Sequence, residues 1–207
     1  MAKIACSAVI LAGGESKRLN GQNKALIEVG GRRVMDRLMS VLAPRFDEII
    51  LVTNEPLRYL EWDMVIATDH FDQRSSLTGI HAGLFTASQP HVLVTACDMP
   101  FIQSAMIELL LDALAPHLDV IIPKTELGFE PMMAIYSKRC LKPMEAALKK
   151  RQYQIQRIFH QVRTLRIEEP ELRRCDAELI SFYNLNSPED LAEAKRRFHR
   201  LSPASRS

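Results

Sequence analysis

The sequence has little cysteine, and its four cysteines are too far apart to form a zinc knuckle or a dithiol redox pair. They are Cys6, Cys97, Cys140 and Cys175, whereas those sites require cysteines a few positions apart. We therefore expect reduced thiols that are buried or unreactive. Glycine is also scarce, at 8 residues, and neither Gly-x-Gly-x-x-Gly nor Gly-Lys-Ser/Thr occurs. A Rossmann oxidoreductase and a Walker-type NTPase are thus disfavoured.

A large excess of one charge and a long apolar segment are absent as well. The 207 residues contain 27 Lys and Arg against 25 Asp and Glu, for a formal charge of +2. No general field therefore attracts nucleic acid or a membrane surface, and we expect neither as a partner. The apolar run at residues 4–12 is interrupted by Ser7 and has no clear cleavage site, which indicates a first strand rather than a signal peptide. Without an export signal we expect a cytoplasmic protein.

Short β-branched segments alternate with amphipathic segments, which predicts a single α/β domain with a mostly parallel central sheet and helices on both faces. The predicted strands cover residues 4–11, 48–53, 64–67, 91–96, 119–122, 132–136 and 164–167, the last in an antiparallel orientation. Helices are predicted around residues 34–42, 107–114 and 141–148. A final helix follows Ser187, because Pro188 and Asp190 complete an N-terminal cap.

The strongest functional signal follows the first predicted strand, where Leu11-Ala12-Gly13-Gly14 precedes Arg18 and Lys24. Ligands of open α/β sheets bind beyond the carboxyl ends of the strands. Glycines at that position allow backbone N–H groups to reach phosphate oxygens, and the two cations supply fixed charge for a triphosphate. The alternative interpretation is a tight turn with solvated charges.

Two aspartates follow other predicted strands. Asp98 comes after residues 91–96 and Asp69 after residues 64–67. Because Mg²⁺ prefers one or two carboxylates together with phosphates, Asp98 is the candidate ligand for Mg²⁺, with Mn²⁺ as an alternative. We expect Lys24 and Asp98 on opposite sides of one triphosphate. Leu77-Thr78-Gly79 leads into a helix whose first amides can face the same ligand, although an ordinary helix start explains it equally well.

Together these motifs resemble the molybdenum cofactor guanylyltransferases. The resemblance extends over about residues 4–198 and includes the segment 184–191 before the last helix. It implies a Rossmann-like nucleotidyltransferase fold in which GMP moves from the substrate GTP to the terminal phosphate of molybdopterin or Mo-molybdopterin, with release of pyrophosphate. Gly13 favours guanine, because cytidylyltransferase relatives more often have alanine there. The sequence departs from the family at Asn23, where an acidic residue is usual beside the lysine.

The resemblance also implies roles for individual residues. Lys24, Arg18 and Asp98 would be catalytic, with Asp98 as the metal ligand. The nucleotide would be held by Leu11, Ala12, Gly13, Gly14, Lys24, Thr53, Asn54, Asp69, Gly79 and Asp98. The acceptor would be held by Glu130, Pro131, Asn184 and Asn186. We expect a domain over residues 1–200, with a nucleotide-binding half at about 1–123, an acceptor-binding half at about 124–200 and a flexible tail at 201–207.

Three alternatives share these features. They are a molybdopterin cytidylyltransferase, a sugar-phosphate nucleotidylyltransferase and a non-catalytic nucleotide-binding protein that delivers the cofactor. Lys24 and Asp98 are both present, which favours an enzyme. Beyond its substrates, we expect molybdoenzymes or cofactor-insertion proteins as partners, and a monomer or a weak homo-oligomer.

Overall fold

The computed structural model describes residues 5–13, 23–71 and 73–201. Gly14, Arg18 and residues 202–207 of the expected tail lie outside these ranges, so the predictions for them concern residues that are not described. The described chain has helices on both faces of a central sheet, as the sequence predicts. Within these ranges no helix is both long enough and apolar enough to cross a bilayer.

The strands form a central sheet and a small separate hairpin. Ten strands are present in the described residues: β1 Cys6–Leu11, β2 Glu28–Val29, β3 Arg32–Arg33, β4 Ile49–Val52, β5 Val65–Ala67, β6 His91–Ala96, β7 Val120–Thr125, β8 Gly128–Phe129, β9 Met133–Ser137 and β10 Thr164–Glu168. The central order is β10-β7-β9-β6-β1-β4-β5, with β8 paired to β7, while β2 and β3 pair with each other.

Six α-helices lie in the same described ranges: α1 Val34–Leu42, α2 Ser76–Thr86, α3 Ser104–Asp112, α4 Leu141–Lys149, α5 Glu169–Cys175 and α6 Pro188–Leu201. α3 ends before Leu114, which the apolar pattern had included. Side chains of β1 alternate between two cores, since Ala8 and Ile10 face one while Val9 and Leu11 face the other. Helices α1, α3, α5 and α6 cover the first core, and α2 and α4 cover the second.

The parallel strands bring several strand ends to one edge of the sheet. β1 is parallel to β4 and to β6, and β4 is parallel to β5. Their carboxyl ends therefore lie at a common edge, and the loops after them share one surface. β9 runs antiparallel to β6 and β7 between them.

The expected antiparallel orientation of the last strand is wrong, because β10 pairs in parallel with β7. The connection from β9 contains α4 and then a 3-10 helix at Ile155–Gln161 that packs back against α4. The chain thus returns to the edge of the sheet where β9 ended. β10 is consequently antiparallel to its predecessor β9 but parallel to its neighbour β7.

α2 lies unusually close to β1 because two glycines face the strand. A Cβ at Gly83 would be 2.4 Å from Cγ1 of Val9, and one at Gly79 would be 3.3 Å from Cδ2 of Leu11. The helix begins next to the shared strand edge, where the Ser75 hydroxyl accepts from the Thr78 N–H over 3.1 Å.

The predicted cap of α6 is confirmed. The Ser187 hydroxyl accepts from the Asp190 N–H over 3.2 Å, and the Asp190 carboxylate accepts in return from the Ser187 N–H over 2.9 Å. The same carboxylate accepts from the N–H of Asn186 at 2.9 Å. The cap therefore holds the end of the loop that precedes α6, at the carboxyl edge of the sheet.

Candidate active site

A cleft of about 640 Å³ opens at the shared strand edge. Its lining comes from the ends of β1 and β6, from the loop after β4 and from the loop before α6. The lining residues are Leu11, Ala12, Gly13, Asn23, Lys24, Asn54, Glu55, Arg58, Tyr59, Arg74, Ser76, Ala96, Cys97, Asp98, Met132, Asn184 and Asn186. We call this the main cleft.

A second cavity of about 420 Å³ adjoins the main cleft. Leu11, Gly13, Asn54, Arg74 and Ser76 line both. The second cavity is also lined by Val52, Thr53, Asp69, Ser75 and Gly79. A Cβ at Gly13 would meet no atom of a described residue within 4 Å, so the described residues leave space beside this backbone. We call it the side cavity.

Lys24 joins three parts of the main cleft. Its Nζ lies 2.9 Å from Oδ2 of Asp98 and 2.7 Å from Oδ1 of Asn186. The Lys24 and Asp98 side chains are 20% and 17% exposed, respectively, so water screens their ion pair only partly. From the sequence we expect the two side chains on opposite sides of one triphosphate, whereas in the structure they pair directly.

The loop before α6 is attached to the segment that carries Asp98. The N–H of Leu185 donates to the carbonyl of Asp98 over 2.9 Å. This bond places the loop residues 184–186 beside the end of β6. The expected acceptor residues Asn184 and Asn186 thereby line the same cleft as Lys24.

One carboxylate oxygen of Asp98 has no hydrogen-bond partner among the described residues. Oδ1 is buried and makes no hydrogen bond to a described residue, whereas Oδ2 accepts from Lys24. A buried oxygen of this kind is costly to leave unpaired, and it is a ligand that Mg²⁺ prefers. The described residues contain no group of three His, Cys, Asp or Glu side chains that could hold a metal. The residues therefore fit an ion that shares its coordination with phosphates, rather than a site formed by protein alone.

The thiol beside Asp98 is not a nucleophile. Burial, assisted by the negative charge of Asp98, raises the pKa of Cys97 to about 12, and the thiolate is the reactive form of cysteine. All four cysteines are unpaired, as the sequence predicts.

Asn23 holds the turn that carries Lys24. This turn is a 3-10 helix at Lys24–Leu26, and the Asn23 side-chain oxygen accepts from the N–H of Ala25 over 3.0 Å. The Asn23 amide also donates to the Tyr59 hydroxyl over 2.9 Å. Tyr59 is 2% exposed, and burial raises its pKa to about 12, so the hydroxyl stays protonated. The neutral residue at position 23 therefore has a defined structural role.

The residues expected to contact the nucleoside differ in what they can do. Thr53 is buried, and its hydroxyl donates to the Ala12 carbonyl over 3.3 Å and accepts from the Glu55 N–H over 3.1 Å. It thus ties the ends of β1 and β4 together. Asn54 and Asp69 form a contact of 3.4 Å between amide and carboxylate, and both line the side cavity.

Two expected acceptor residues do not line either cavity. Glu130 instead accepts from the Thr125 hydroxyl over 3.3 Å, and burial raises the pKa of its carboxyl group. The carbonyl of Pro131 accepts from the hydroxyl of Tyr136 over 3.0 Å. From this segment it is the next residue, Met132, that reaches the main cleft.

Several lining residues were not identified from the sequence. They are Asn23 as a structural residue, Glu55, Arg58, Tyr59, Arg74, Ser76 and Met132. Arg74 lies in the polar segment between Asp69 and α2. The others carry no local motif, since their positions depend on how distant segments pack.

Comparison with known proteins gives consistent results. Residues 8–166 match the MobA-like NTP transferase domain. A molybdenum cofactor guanylyltransferase of Desulfosudis oleivorans is 41% identical over 191 residues, which cover 92% of this chain and 95% of that protein. A probable molybdenum cofactor guanylyltransferase of Natranaerobius thermophilus is 32% identical over 195 residues, covering 92% and 95%, respectively. The crystal structure of molybdopterin-guanine dinucleotide biosynthesis protein A from Archaeoglobus fulgidus has a TM-score of 0.82 at 25% identity, and the match covers 94% of this chain and 100% of that one.

Proposed function

Because the chain belongs to the family of MobA-like NTP transferase domains, we propose that it transfers GMP from GTP to the terminal phosphate of molybdopterin or Mo-molybdopterin. Pyrophosphate is the second product, and the first is the guanine dinucleotide form of the cofactor. The observation that carries this proposal is the cluster in which Lys24 contacts both Asp98 and Asn186. It joins a cation, a carboxylate and an amide at one point of the main cleft.

The donor nucleotide spans the two cavities in this proposal. We assign the nucleoside to the side cavity, where Asn54 and Asp69 supply polar groups and Gly13 exposes its backbone. The triphosphate extends into the main cleft toward Lys24. Lysine is a compact cation with three donors on a flexible stem, so Lys24 can turn from Asp98 to a phosphate oxygen and keep its contact with Asn186.

The unpaired oxygen of Asp98 would hold Mg²⁺, with Mn²⁺ as an alternative because both ions bind carboxylate and phosphate oxygens. When bound, the ion neutralises negative charge on the phosphates. In the structure Lys24 contacts Oδ2 of Asp98, so Oδ1 is the oxygen open to the ion before Lys24 turns to the phosphates.

The transfer needs no strong general base. The acceptor phosphate is already ionised, and one of its oxygens forms a bond to the α-phosphorus of GTP. The bond from that phosphorus to the bridging oxygen breaks, and its electron pair leaves with pyrophosphate. The protein contributes by orienting the two phosphates and by supplying positive charge near them.

We assign the acceptor to the side of the main cleft formed by elements after residue 124, where Asn184 and Asn186 supply amide groups. Elements before residue 123 hold the nucleotide. The unpaired thiols support a location in the reducing cytoplasm.

The test is a comparison of GTP, CTP and ATP with purified protein, molybdopterin and MgCl₂. Pyrophosphate release is followed continuously, and the dinucleotide product is identified by mass spectrometry. We expect turnover with GTP and a product containing guanine. Preferred turnover of CTP would instead identify a cytidylyltransferase, and absence of turnover with every nucleotide would contradict a transferase.

A further inference from the structure

The cations that line the main cleft differ in whether they pair with an acidic side chain. Of its described cations, Lys24 pairs with Asp98 at 2.9 Å and Arg58 pairs with Glu55 at 2.9 Å. The third, Arg74, is exposed and forms no hydrogen bond or ion pair with another described residue. Arg74 is therefore the cation of this cleft whose charge no described acidic side chain neutralises.

Arg74 also has a particular location, because it lines both the main cleft and the side cavity. It precedes Ser75, which caps α2, and the lining of both cavities includes the adjacent Ser76. A nucleotide that spans the two cavities has its nucleoside on one side of this junction and its terminal phosphates on the other. The group at the junction is then the α-phosphate.

We propose that Arg74 binds the α-phosphate of the donor nucleotide. This inference rests on the proposed function, since it assumes that the nucleotide spans both cavities. A guanidinium presents several N–H donors in one plane and stays charged, so it can bind non-bridging oxygens of the α-phosphate. Lys24 has its contacts elsewhere, at Asp98 and Asn186.

The assignment gives Arg74 a role throughout the transfer. A bond forms between the acceptor oxygen and the α-phosphorus, while the bond to the bridging oxygen breaks and pyrophosphate leaves. The non-bridging oxygens remain on the transferred GMP and carry charge in the transition state. A donor directed at those oxygens stabilises that charge, and it recognises every nucleotide that has an α-phosphate.

The experiment measures the affinity of the full chain for guanosine, GMP and GTP by titration calorimetry with MgCl₂. The variants are Arg74→Gln and Arg74→Lys, and the control is Arg174→Gln, which alters an exposed arginine of α5. We expect Arg74→Gln to weaken the binding of GMP and the binding of GTP by a similar factor of about 10- to 100-fold, as for loss of a charged hydrogen bond. Guanosine binding is expected to be unchanged. Arg74→Lys should lose less affinity for GMP and GTP than Arg74→Gln, and the affinities of the control should stay within about twofold of the wild type.

Three outcomes would overturn the proposal. In the first, Arg74→Gln binds all three ligands as the wild type does. In the second, the substitution weakens the binding of GTP but not of GMP, which places the contact on the β- or γ-phosphate. In the third, it weakens the binding of guanosine as much as that of GMP, which indicates a rearranged loop. A wild-type protein that binds these nucleotides but does not transfer GMP contradicts the proposed function alone, because the comparison of ligands remains valid.

Discussion

The ammonium group of Lys24 lies 2.9 Å from a carboxylate oxygen of Asp98, although the two residues are 74 positions apart in the chain. Lys24 is carried by the turn that Asn23 caps, and Asp98 follows β6. Their contact ties the loop region after β1 to the end of the neighbouring strand. It also brings both residues to Asn186, which precedes α6.

Replacing Lys24 with methionine keeps the length of the side chain and removes its charge. We expect kcat/KM for GTP to fall by about 10- to 100-fold, because a charged hydrogen bond to the phosphates is lost. Steady-state pyrophosphate release at varied GTP measures this effect. Lys142→Met, at an exposed position of α4, is the matched control. Equal kcat/KM for the Lys24 variant and this control would show that Lys24 does not contact the nucleotide.

The link between Asn23 and Tyr59 predicts coupled effects on activity. Removing the hydroxyl in Tyr59→Phe takes away the acceptor to which the Asn23 amide donates over 2.9 Å. We expect a loss of about fivefold in kcat/KM for GTP, equivalent to about one neutral hydrogen bond. Because Tyr59 acts through Asn23, the same substitution should have little further effect in an Asn23→Ala background.

Tyr153→Phe is the control for this double-mutant cycle, since Tyr153 packs against the core on the α2 and α4 side of the sheet. If Tyr59→Phe lowered kcat/KM by the same factor with and without Asn23, the two residues would act independently. Tyr59 would then support the cleft by packing alone.

Close packing between α2 and β1 predicts a strong effect of a single methyl group. In Gly83→Ala the new Cβ would lie 2.4 Å from Cγ1 of Val9, whose branched side chain has little rotamer freedom. We expect destabilisation by about 1–3 kcal/mol from overpacking, reduced by the better helix propensity of alanine. Urea unfolding measures the difference.

Gly79→Ala is the comparison for this prediction, because its Cβ would lie 3.3 Å from the flexible end of Leu11. We expect Gly79→Ala to lower the free energy of unfolding by less than Gly83→Ala does. A Gly83→Ala protein at least as stable as the wild type would mean that α2 and β1 are farther apart than described here.

The buried imidazole of His81 is expected to make the free energy of unfolding depend on pH. It is 3% exposed, its Nδ1 has no partner among the described residues, and its Nε2 faces Glu145 of α4 at 3.4 Å. Burial lowers the pKa of His81 below its ordinary value of 6.5, although Glu145 opposes this shift and His70 adds to it. Below pH 6.5 the unfolded chain therefore binds a proton that the folded protein resists. The free energy of unfolding should fall as the pH decreases through this range.

The test is urea unfolding of the wild type and His81→Phe between pH 7 and about pH 5. Phenylalanine suits the aromatic surroundings formed by Phe71 and Phe85 and does not titrate. The wild type should lose up to about 1.4 kcal/mol more per pH unit than the variant. His117→Phe, at an exposed position, should keep the wild-type slope. Equal slopes for the wild type and His81→Phe would refute the prediction.

Local patterns in the sequence were sufficient to predict most helices and strands of the fold. The apolar pattern predicts α1, and Ser187 with Asp190 predicts the start of α6, because these features act within one helical turn. The meeting of Gly13 and Asp98 at one cleft was also predictable. Both follow strands of a parallel sheet, and the carboxyl ends of such strands lie at the same edge.

Features that depend on distant packing were not predictable. The direction of β10 follows from how the helical segment after α4 packs back against it, and no residue of β10 encodes that choice. Tyr59 reaches Asn23 across 36 positions. The resemblance implied Glu130 as an acceptor residue, and that role stays a prediction. Its carboxylate accepts from Thr125 beside the tight hairpin of β7 and β8, a contact that no local motif indicates.

Asp98 provides the most direct test of whether this cleft transfers GMP. The measurement is the rate of pyrophosphate release from GTP and molybdopterin with MgCl₂, compared between the wild type and Asp98→Asn, with Asp112→Asn at the exposed end of α3 as control. We expect Asp98→Asn to lower the rate by about 100- to 1,000-fold, the typical effect of one electrostatic group, and the control to keep the wild-type rate. Pyrophosphate release by Asp98→Asn at the wild-type rate would show that this cleft does not transfer GMP through Asp98.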